Sequence, residues 1–240
     1  MRADKFLTEH GYYDSRARAQ SAIKAGRVSV NGRVLEKTSQ PVSVTDQIEA
    51  TQEHPWVSRG GLKLVKALDE FSVNPKGHVC LDVGASTGGF THVLHARGAA
   101  KIYAVDVGHG QLHSDLQNIP EIISLEGQDA RTLTRELLNP LPSLIACDAS
   151  FISLNKVLET PLRLAESGTV LISLVKPQFE VGPDGIGKGG IVKSETLALQ
   201  AVSDVTAWVQ SQGWEVLQTT TSPIKGGHGN SEYLLHAVKA

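Results

Sequence analysis

Cysteine is scarce in this chain, which has only two cysteines among its 240 residues. Cys80 and Cys147 both stand in apolar, strand-like runs, and this position indicates neither a disulfide framework nor a zinc site. We therefore expect no metal site, and a reducing cytoplasmic compartment.

Long apolar segments are also missing. The amino-terminal stretch MRADKFLTEHGYY lacks the apolar region of a signal peptide, and no run elsewhere approaches the length of a membrane span. These absences disfavour a secreted or pore-forming protein, and no membrane partner is expected.

Two common nucleotide-binding fingerprints are missing as well. The glycine-rich stretch LDVGASTGGF is not the G-x-G-x-x-G that a dinucleotide site requires. The stretch GPDGIGKGG nearly matches a phosphate loop, but Gly189 stands where that loop needs Ser or Thr. Because no phosphate clamp accompanies the glycines, the remaining candidate is an uncharged or cationic nucleoside ligand.

The net charge of −2 conceals an uneven distribution. Residues 1–37 contain eight Lys and Arg against four Asp and Glu, whereas residues 38–240 contain fifteen against twenty-one. A basic head on an acidic body indicates a polyanionic partner, although a solvated surface would give the same count.

Residues 1–50 have the pattern of a small α+β domain. Two short helices are predicted in ADKFLTEHG and RARAQSAIKAG, the second capped by Ser15. The stretch RVSVNGRVL alternates around Asn31-Gly32, a strong hairpin signal, and QPVSVTDQIEA predicts a further strand. Basic residues that could reach RNA phosphates are interleaved throughout, namely Arg2, Lys5, Arg16, Arg18, Lys24, Arg27 and Arg33.

A linker is expected over residues 51–60, and strands then alternate with helices over residues 61–240. Seven strands are predicted, in HVCLDVG, KIYAVDV, EIISLEG, LPSLIACDAS, TVLISLVKP, WEVLQTTTS and EYLLHAVK. Helices are predicted between them, in LKLVKALDEF, GFTHVLHARG, LNKVLETPLRLAESG and SETLALQAVSDVTAWVQSQG. This alternation predicts an α/β, Rossmann-like domain with a mostly parallel sheet, whose ligands bind at the carboxyl ends of the strands.

Glycines and acids follow several of these strands. Gly84 lets the backbone approach a ligand, Asp106 is suited to a ribose diol, and Asp129 to an adenine amine. Each acid could instead cap a helix, but the shared position of Asp106, Asp129 and Asp148 at strand ends favours a nucleoside site. A ribose, an adenine and a positive sulfur would suit these acids, which points to S-adenosylmethionine (SAM). The candidate cofactor-binding residues are Asp82, Gly84, Ala85, Ser86, Gly88, Gly89, Phe90, Asp106, Val107, Asp129, Ala130, Asp148 and Phe151.

A lysine ends the fifth predicted strand, in TVLISLVKPQFE. Lys176 follows an apolar run, and Pro177 then stops the strand ladder. A strand-end lysine whose ammonium snorkels to solvent is the simplest interpretation. Desolvation and a neighbouring cation would instead fit a lysine that acts as a base.

The first 50 residues carry the run R-x-D-x-x-L-x-x-x-G and then S-R-x-x-A-x-x-x-I-x-x-G-x-V-x-V-N-G. These motifs resemble the RNA-binding domain named after small-subunit ribosomal protein S-four. The resemblance implies that residues 1–50 bind structured RNA through their helices.

The rest of the chain carries D-V-G-x-x-x-G-G-F, D-V-G, D-A-S-F-I-S and V-K-P-Q-F-E, in that order. These motifs resemble the TlyA/hemolysin A family of ribosomal RNA 2′-O-methyltransferases, and the domain is similar to the wider FtsJ/RrmJ group. The resemblance implies SAM as the methyl donor and ribosomal RNA or a ribosomal subunit as the partner, with no DNA partner. It also implies a catalytic tetrad, here Lys63, Asp148, Lys176 and Glu232.

The implied target is the ribose of a cytidine. Lys176 would act as the base while the other tetrad residues position the reactants, or Lys176 would only orient the hydroxyl. Arg59, in the linker, joins the candidate RNA-binding residues. The few residues before Arg2 and after the last strand favour large-subunit RNA as the substrate.

Two other functions compete with this interpretation. One is a ribosome-associated RNA-binding factor whose methyltransferase domain is inactive, which a measurement of SAM binding would discriminate. The other is a base methyltransferase, which usually has a catalytic cysteine or an Asn/Asp-Pro-Pro-aromatic motif. Cys80 and Cys147 lie within predicted strands, and no such motif occurs.

Overall fold

The structure, a computed structural model, describes residues 1–13, 15–51 and 54–240. The chain forms two compact units, Met1–Pro55 and Trp56–Ala240. Residues 52–53 of the linker expected over residues 51–60 lie outside the described residues. None of the described helices is long and apolar enough to cross a membrane.

The described residues of the first unit form two helices and a small antiparallel sheet, whose strand order is β2–β1–β3. The elements are α1 (Ala3–Glu9), α2 (Arg16–Lys24), β1 (Val28–Val30), β2 (Arg33–Val34) and β3 (Ile48–Ala50). Ser15 caps α2 as predicted, because its side chain accepts a hydrogen bond from the backbone N–H of Arg18 at 3.3 Å. The predicted turn is confirmed at Asn31 and Gly32, whose φ values of 52° and 75° suit a tight hairpin.

The core of this unit joins side chains of both helices to the sheet and includes Phe6, Leu7, Ile23 and Val28. The strand predicted in QPVSVTDQIEA is shorter than expected, since β3 begins only at Ile48. Earlier in that stretch, pairing is limited to an isolated bridge between residues 2 and 41. Proline at position 41 lacks a backbone N–H and cannot donate to a ladder.

Within residues 54–240, which are described throughout, seven strands form one sheet, as predicted. The strands are β4 (Val79–Val83), β5 (Lys101–Asp106), β6 (Ile122–Glu126), β7 (Leu144–Cys147), β8 (Val170–Val175), β9 (Trp214–Thr221) and β10 (Tyr233–Lys239). Their order is β6–β5–β4–β7–β8–β10–β9. Strands β4 to β8 pair in parallel, and β10 is antiparallel to both of its neighbours.

The helices of the second unit cover both faces of this sheet. They are α3 (Gly60–Glu70), α4 (Gly89–Ala96), α5 (Ser114–Gln117), α6 (Leu154–Val157), α7 (Glu159–Leu164) and α8 (Glu195–Ser211). Successive strand residues point to opposite faces, so Cys80 joins the core with α3 and α4, whereas Leu81 joins the core with α6 to α8. Burial on both faces explains why the central strands β4, β5, β7 and β8 are nearly continuous apolar runs, whereas the edge strand β9 is largely exposed and more polar.

The single helix predicted in LNKVLETPLRLAESG is divided into α6 and α7. Pro161 has no N–H to donate to the carbonyl of Val157, four residues earlier, and α6 ends at that residue. The short helix α5 was not predicted.

The topology brings several chain segments to one edge of the sheet. The strand order reverses between β4 and β7, the point at which doubly wound sheets bind ligands beyond the carboxyl ends of their strands. Because β10 runs antiparallel to β8, its first residue, Tyr233, lies opposite Val175, the last residue of β8. The residue before β10 therefore reaches the same edge as the residue after β8.

Candidate active site

Four charged side chains converge at this edge, each from a different element. Lys63 lies near the start of α3, and Asp148 follows β7. Lys176 follows β8, and Glu232 precedes β10. These are the four residues of the predicted tetrad, and the fold brings them together from positions 63 to 232 of the chain.

The tetrad is a continuous chain of ion pairs. Lys63 Nζ lies 2.6 Å from Glu232 Oε2 and 3.9 Å from Asp148 Oδ2. Lys176 Nζ lies 2.5 Å from Asp148 Oδ1 and also donates to the backbone oxygen of Asp148 at 3.1 Å. Asp148 therefore links the two lysines, and Glu232 holds Lys63 from the other side.

Burial makes this pairing necessary. Lys63, Lys176 and Glu232 expose only 8%, 6% and 3% of their surface. An unpaired charge is costly to bury, and two lysines with two carboxylates offset each other. Lys176 does not snorkel into open solvent, so the simplest interpretation of this strand-end lysine from sequence is wrong.

A cavity of about 600 Å³, which we call the tetrad cavity, has all four residues in its walls. Arg59 and parts of two glycine-rich loops, residues 182–190 and 224–229, also line it. Buried Asn230 joins the two loops, because its Nδ2 donates to the Gly190 carbonyl at 2.8 Å and its Oδ1 accepts from Val192 N at 3.0 Å. Neither Asn230 nor this connection was anticipated from the sequence.

A second cavity of about 580 Å³, the glycine-turn cavity, lies beside the first. Its walls include four of the candidate cofactor-binding residues beyond β5 and β6, namely Asp106, Val107, Asp129 and Ala130. The two cavities share one wall, which consists of Gly84, Ser86, Asp148, Ser150 and Phe151. Ala85, Gly89 and Phe90 line only the tetrad cavity.

The glycine turn after β4 is closely packed at Gly84. This residue has a φ of +82°, and a Cβ atom there would lie 2.9 Å from Ala149 Cα. Both the conformation and the space therefore require glycine. Two residues later, Ser86 donates its backbone N–H to Asp106 Oδ2 at 2.8 Å.

The two acids of the glycine-turn cavity already have protein partners. Asp106 Oδ1 accepts from the backbone N–H of Gly108 at 2.7 Å, so this carboxylate ties two loops together. Asp129 is paired with Arg131, which donates from Nη2 at 2.6 Å and from Nε at 3.0 Å. Hydrogen bonds from Arg131 keep the pKa of Asp129 below its usual range. Carboxylate oxygens accept more than one hydrogen bond, so both acids remain able to bind a ligand.

Two candidate cofactor-binding residues, Asp82 and Gly88, are not in the walls of these two cavities. Asp82 is fully buried beneath the glycine turn, where it accepts a hydrogen bond from Thr91 Oγ1 at 2.6 Å. Burial is the main cause that raises the pKa of Asp82 to about 7, and the charge of Asp148 adds to it.

The shared wall ends in an exposed aromatic residue. Phe151 has 86% of its surface exposed and a φ of 64°, which is uncommon for any residue other than glycine. Its ring centroid lies 5.2 Å from that of Phe179. Phe179, Gln178 and Ser150 also line the tetrad cavity and were not among the sequence candidates.

The basic candidates of the first unit fall into two groups. Arg2 and Arg16 both donate to Asp4, which is fully buried, at distances between 2.8 and 3.1 Å. Lys5 lies 3.5 Å from Glu9 on α1. Of the remaining candidates, Lys24 and Arg33 are exposed, and Arg18 and Arg27 are partly buried. Binding of RNA by these residues stays a prediction.

Comparison with known proteins agrees with this architecture. Residues 56–239 match the FtsJ-like methyltransferase family, and residues 1–48 match the S4 domain. The chain is 42% identical over 236 residues to the 16S/23S rRNA (cytidine-2′-O)-methyltransferase TlyA of Mycobacterium tuberculosis, covering 98% of this chain and 88% of that protein. It is 39% identical over 239 residues to Hemolysin A of Brachyspira hyodysenteriae, covering 99% and 100%.

Two further relatives extend the comparison. The 23S rRNA (cytidine-2′-O)-methyltransferase TlyA of Campylobacter jejuni is 35% identical, with both chains covered in full. A solved hemolysin-like structure from Streptococcus thermophilus is 36% identical, with a TM-score of 0.80, and it covers 100% of this chain and 88% of the other. The chain therefore belongs to the TlyA/hemolysin A family, in which an S4 domain precedes an FtsJ-like methyltransferase domain.

Proposed function

We propose that this protein transfers a methyl group from SAM to the ribose 2′-oxygen of a cytidine in ribosomal RNA. The observation that carries this proposal is the tetrad of Lys63, Asp148, Lys176 and Glu232, buried in a cavity that shares a wall with the glycine-turn cavity. The names of the M. tuberculosis and C. jejuni relatives both include 23S rRNA, so large-subunit RNA is the first substrate to test.

The glycine-turn cavity fits a nucleoside methyl donor. Its volume of about 580 Å³ lies within the range of small-molecule sites. Asp106 and Asp129 give the walls an acidic character, and the guanidinium of Arg131 is held by Asp129. Such a site suits a ribose, an adenine and a sulfonium better than a polyphosphate. When bound there, SAM would supply a methyl group that its positive sulfur already activates.

The tetrad supplies the proton chemistry. A ribose hydroxyl is a weak nucleophile at neutral pH, so its proton must leave as the oxygen–methyl bond forms. Lys176 is the candidate acceptor of that proton, because its Nζ contacts Asp148 and Ser150, two residues of the wall that the two cavities share. Asp148 orients Lys176, and Glu232 holds Lys63 beside Asp148.

The first unit would supply affinity for RNA. Its exposed and partly exposed arginines and lysines suit the phosphate backbone, and such contacts weaken as salt is added. The folded S4-like unit is separate from the tetrad residues in the chain, so binding and chemistry would reside in different units.

Methyl transfer from labelled SAM tests this function. The full chain is incubated with large or small ribosomal subunits from cells that lack this protein, and the labelled nucleotide is mapped. Lys176→Ala should lose roughly a hundredfold to ten-thousandfold in rate while SAM and RNA still bind. Lys101→Ala, at the amino end of β5 and therefore at the opposite edge of the sheet, is the matched control and should keep the wild-type rate.

A second arm identifies the acceptor atom. RNA with a 2′-deoxy substitution at the mapped nucleotide should not be methylated, because the nucleophile is removed. Transfer to this RNA at the normal rate would mean that a base is modified. RNA binding without SAM binding or methyl transfer would instead support the inactive, ribosome-associated factor.

A further inference from the structure

We infer that Ser150 is a positioning residue for Lys176, and that its hydroxyl marks the place where the reacting 2′-hydroxyl binds. This inference rests on the proposed function. Ser150 Oγ accepts a hydrogen bond from Lys176 Nζ at 2.7 Å, and Ser150 lies in the wall shared by the two cavities.

The ammonium of Lys176 has three N–H groups, and three protein acceptors surround it. Two of them belong to Asp148, the backbone oxygen at 3.1 Å and Oδ1 at 2.5 Å. The third is Ser150 Oγ. Asp148 O and Ser150 Oγ accept hydrogen bonds from the ammonium, and Asp148 Oδ1 forms an ion pair with it. Lys176 can accept a proton only as the neutral amine, so its ammonium must first release one proton to water and lose one of these three contacts.

Of these acceptors, Ser150 is the one whose hydrogen bond to Lys176 is most easily broken. Asp148 is partly buried, its backbone oxygen is fixed by the chain, and its carboxylate is held by Lys63 as well. Ser150, in contrast, is exposed, and its hydroxyl can rotate and can either donate or accept. The nitrogen lone pair of the neutral amine would then point toward Ser150 and the shared wall.

This geometry assigns two tasks to one hydroxyl. Before the reaction, Ser150 orients the lone pair of neutral Lys176 Nζ toward the wall between the cavities. A 2′-hydroxyl would meet a methyl donor at this wall. During the reaction, the 2′-oxygen loses its proton to Nζ, and the ammonium that forms regains three N–H groups. Ser150 Oγ can then accept one of them again, alongside the two oxygens of Asp148.

The test compares Ser150→Ala with Ser150→Thr in single-turnover and steady-state methyl transfer. Because a hydrogen bond to a charged group contributes more free energy than one between neutral groups, kcat of Ser150→Ala should fall roughly tenfold to a hundredfold. KM for RNA and the Kd for SAM should change little, because the remaining walls of both cavities are intact. Ser150→Thr keeps the hydroxyl and should recover most of the rate. Ser203→Ala, on the exposed surface of α8, is the matched control.

Several results would overturn the inference. A wild-type kcat for Ser150→Ala would remove the positioning role, and so would equal losses in the Ala and Thr variants. A loss confined to KM or to SAM affinity would make Ser150 a binding residue only. Absence of ribose methylation by the wild-type chain would overturn both this inference and the proposed function, whereas activity of the wild-type with an unaffected Ser150→Ala would overturn this inference alone.

Discussion

Replacing Asp82 with Asn should change how the stability of the second unit depends on pH. Asp82 is fully buried beneath the glycine turn, and burial is the main cause that raises its pKa from the usual 3.8 to about 7. Between these two values, the folded chain keeps a proton on Asp82 that the unfolded chain releases. The free energy of unfolding therefore falls as pH rises through this window.

The size of the effect follows from the two pKa values. The difference between 3.8 and about 7 corresponds to about 4 kcal/mol, and no discount for solvent screening applies to a fully buried group. Asn cannot ionise, so the free energy of unfolding of Asp82→Asn should not fall in this way as pH rises. The variant should gain stability relative to the wild type as pH rises, by up to about 4 kcal/mol.

Urea unfolding from about pH 4 to about pH 8 measures the difference. Tryptophan fluorescence reports the second unit alone, because that unit contains all the tryptophans of the chain, Trp56, Trp208 and Trp214. Thr91→Val, which removes a hydrogen bond that lowers the pKa of Asp82, should extend the window to higher pH. If the free energy of unfolding changes with pH in the same way in the wild type and in Asp82→Asn, this reasoning is refuted.

Two further predictions concern the glycine turn and the first unit. Gly84→Val should weaken SAM binding at least tenfold, which corresponds to about 1.4 kcal/mol. The φ of +82° at Gly84 and the nearby Ala149 leave no room for a side chain. An unchanged SAM affinity, measured by calorimetry in a folded variant, would contradict this prediction. The Arg2 guanidinium, with help from Arg16, holds the pKa of Asp4 well below its usual range, so the stability that Asp4 provides is present above about pH 4 and is lost as pH falls. Hydrogen exchange of α1 and α2 should therefore be faster in Asp4→Asn than in the wild type at neutral pH, and the two should converge in acid; a constant difference would contradict it.

The central strands of the large sheet could be predicted from the sequence because burial on both faces makes β4, β5, β7 and β8 apolar runs between turn signals. Their pairing could not be predicted, since the antiparallel direction of β10 is a tertiary property. That direction places Glu232 beside Lys63, at 2.6 Å, and only the family motif located it in the sequence. The break between α6 and α7 was visible in the sequence as Pro161, a signal that outweighs the helical pattern around it.

Side-chain partners were the least predictable part of the site. The pattern of charges indicated which arginines could reach RNA, but not that buried Asp4 would hold both Arg2 and Arg16. Asp129 was expected to face an adenine, and the structure pairs it with Arg131, two residues away. Such contacts depend on distances within an angstrom, which periodicity and spacing do not contain.

The shared wall explains why the segment after β7 unites the two parts of the proposed reaction. Asp148 holds Lys176 and Lys63, while the residues that follow it, up to Phe151, separate the tetrad cavity from the glycine-turn cavity. A methyl donor and a hydroxyl react only when their reacting atoms approach to about 3 to 3.5 Å in line. This short segment contacts Lys176, the candidate base, and borders both cavities. Any shift of the segment would therefore change both the orientation of Lys176 and the approach of the two reactants. The left-handed backbone of Phe151 fixes the end of this segment in a conformation that few side chains adopt, which is the kind of local strain that persists where surrounding contacts maintain it.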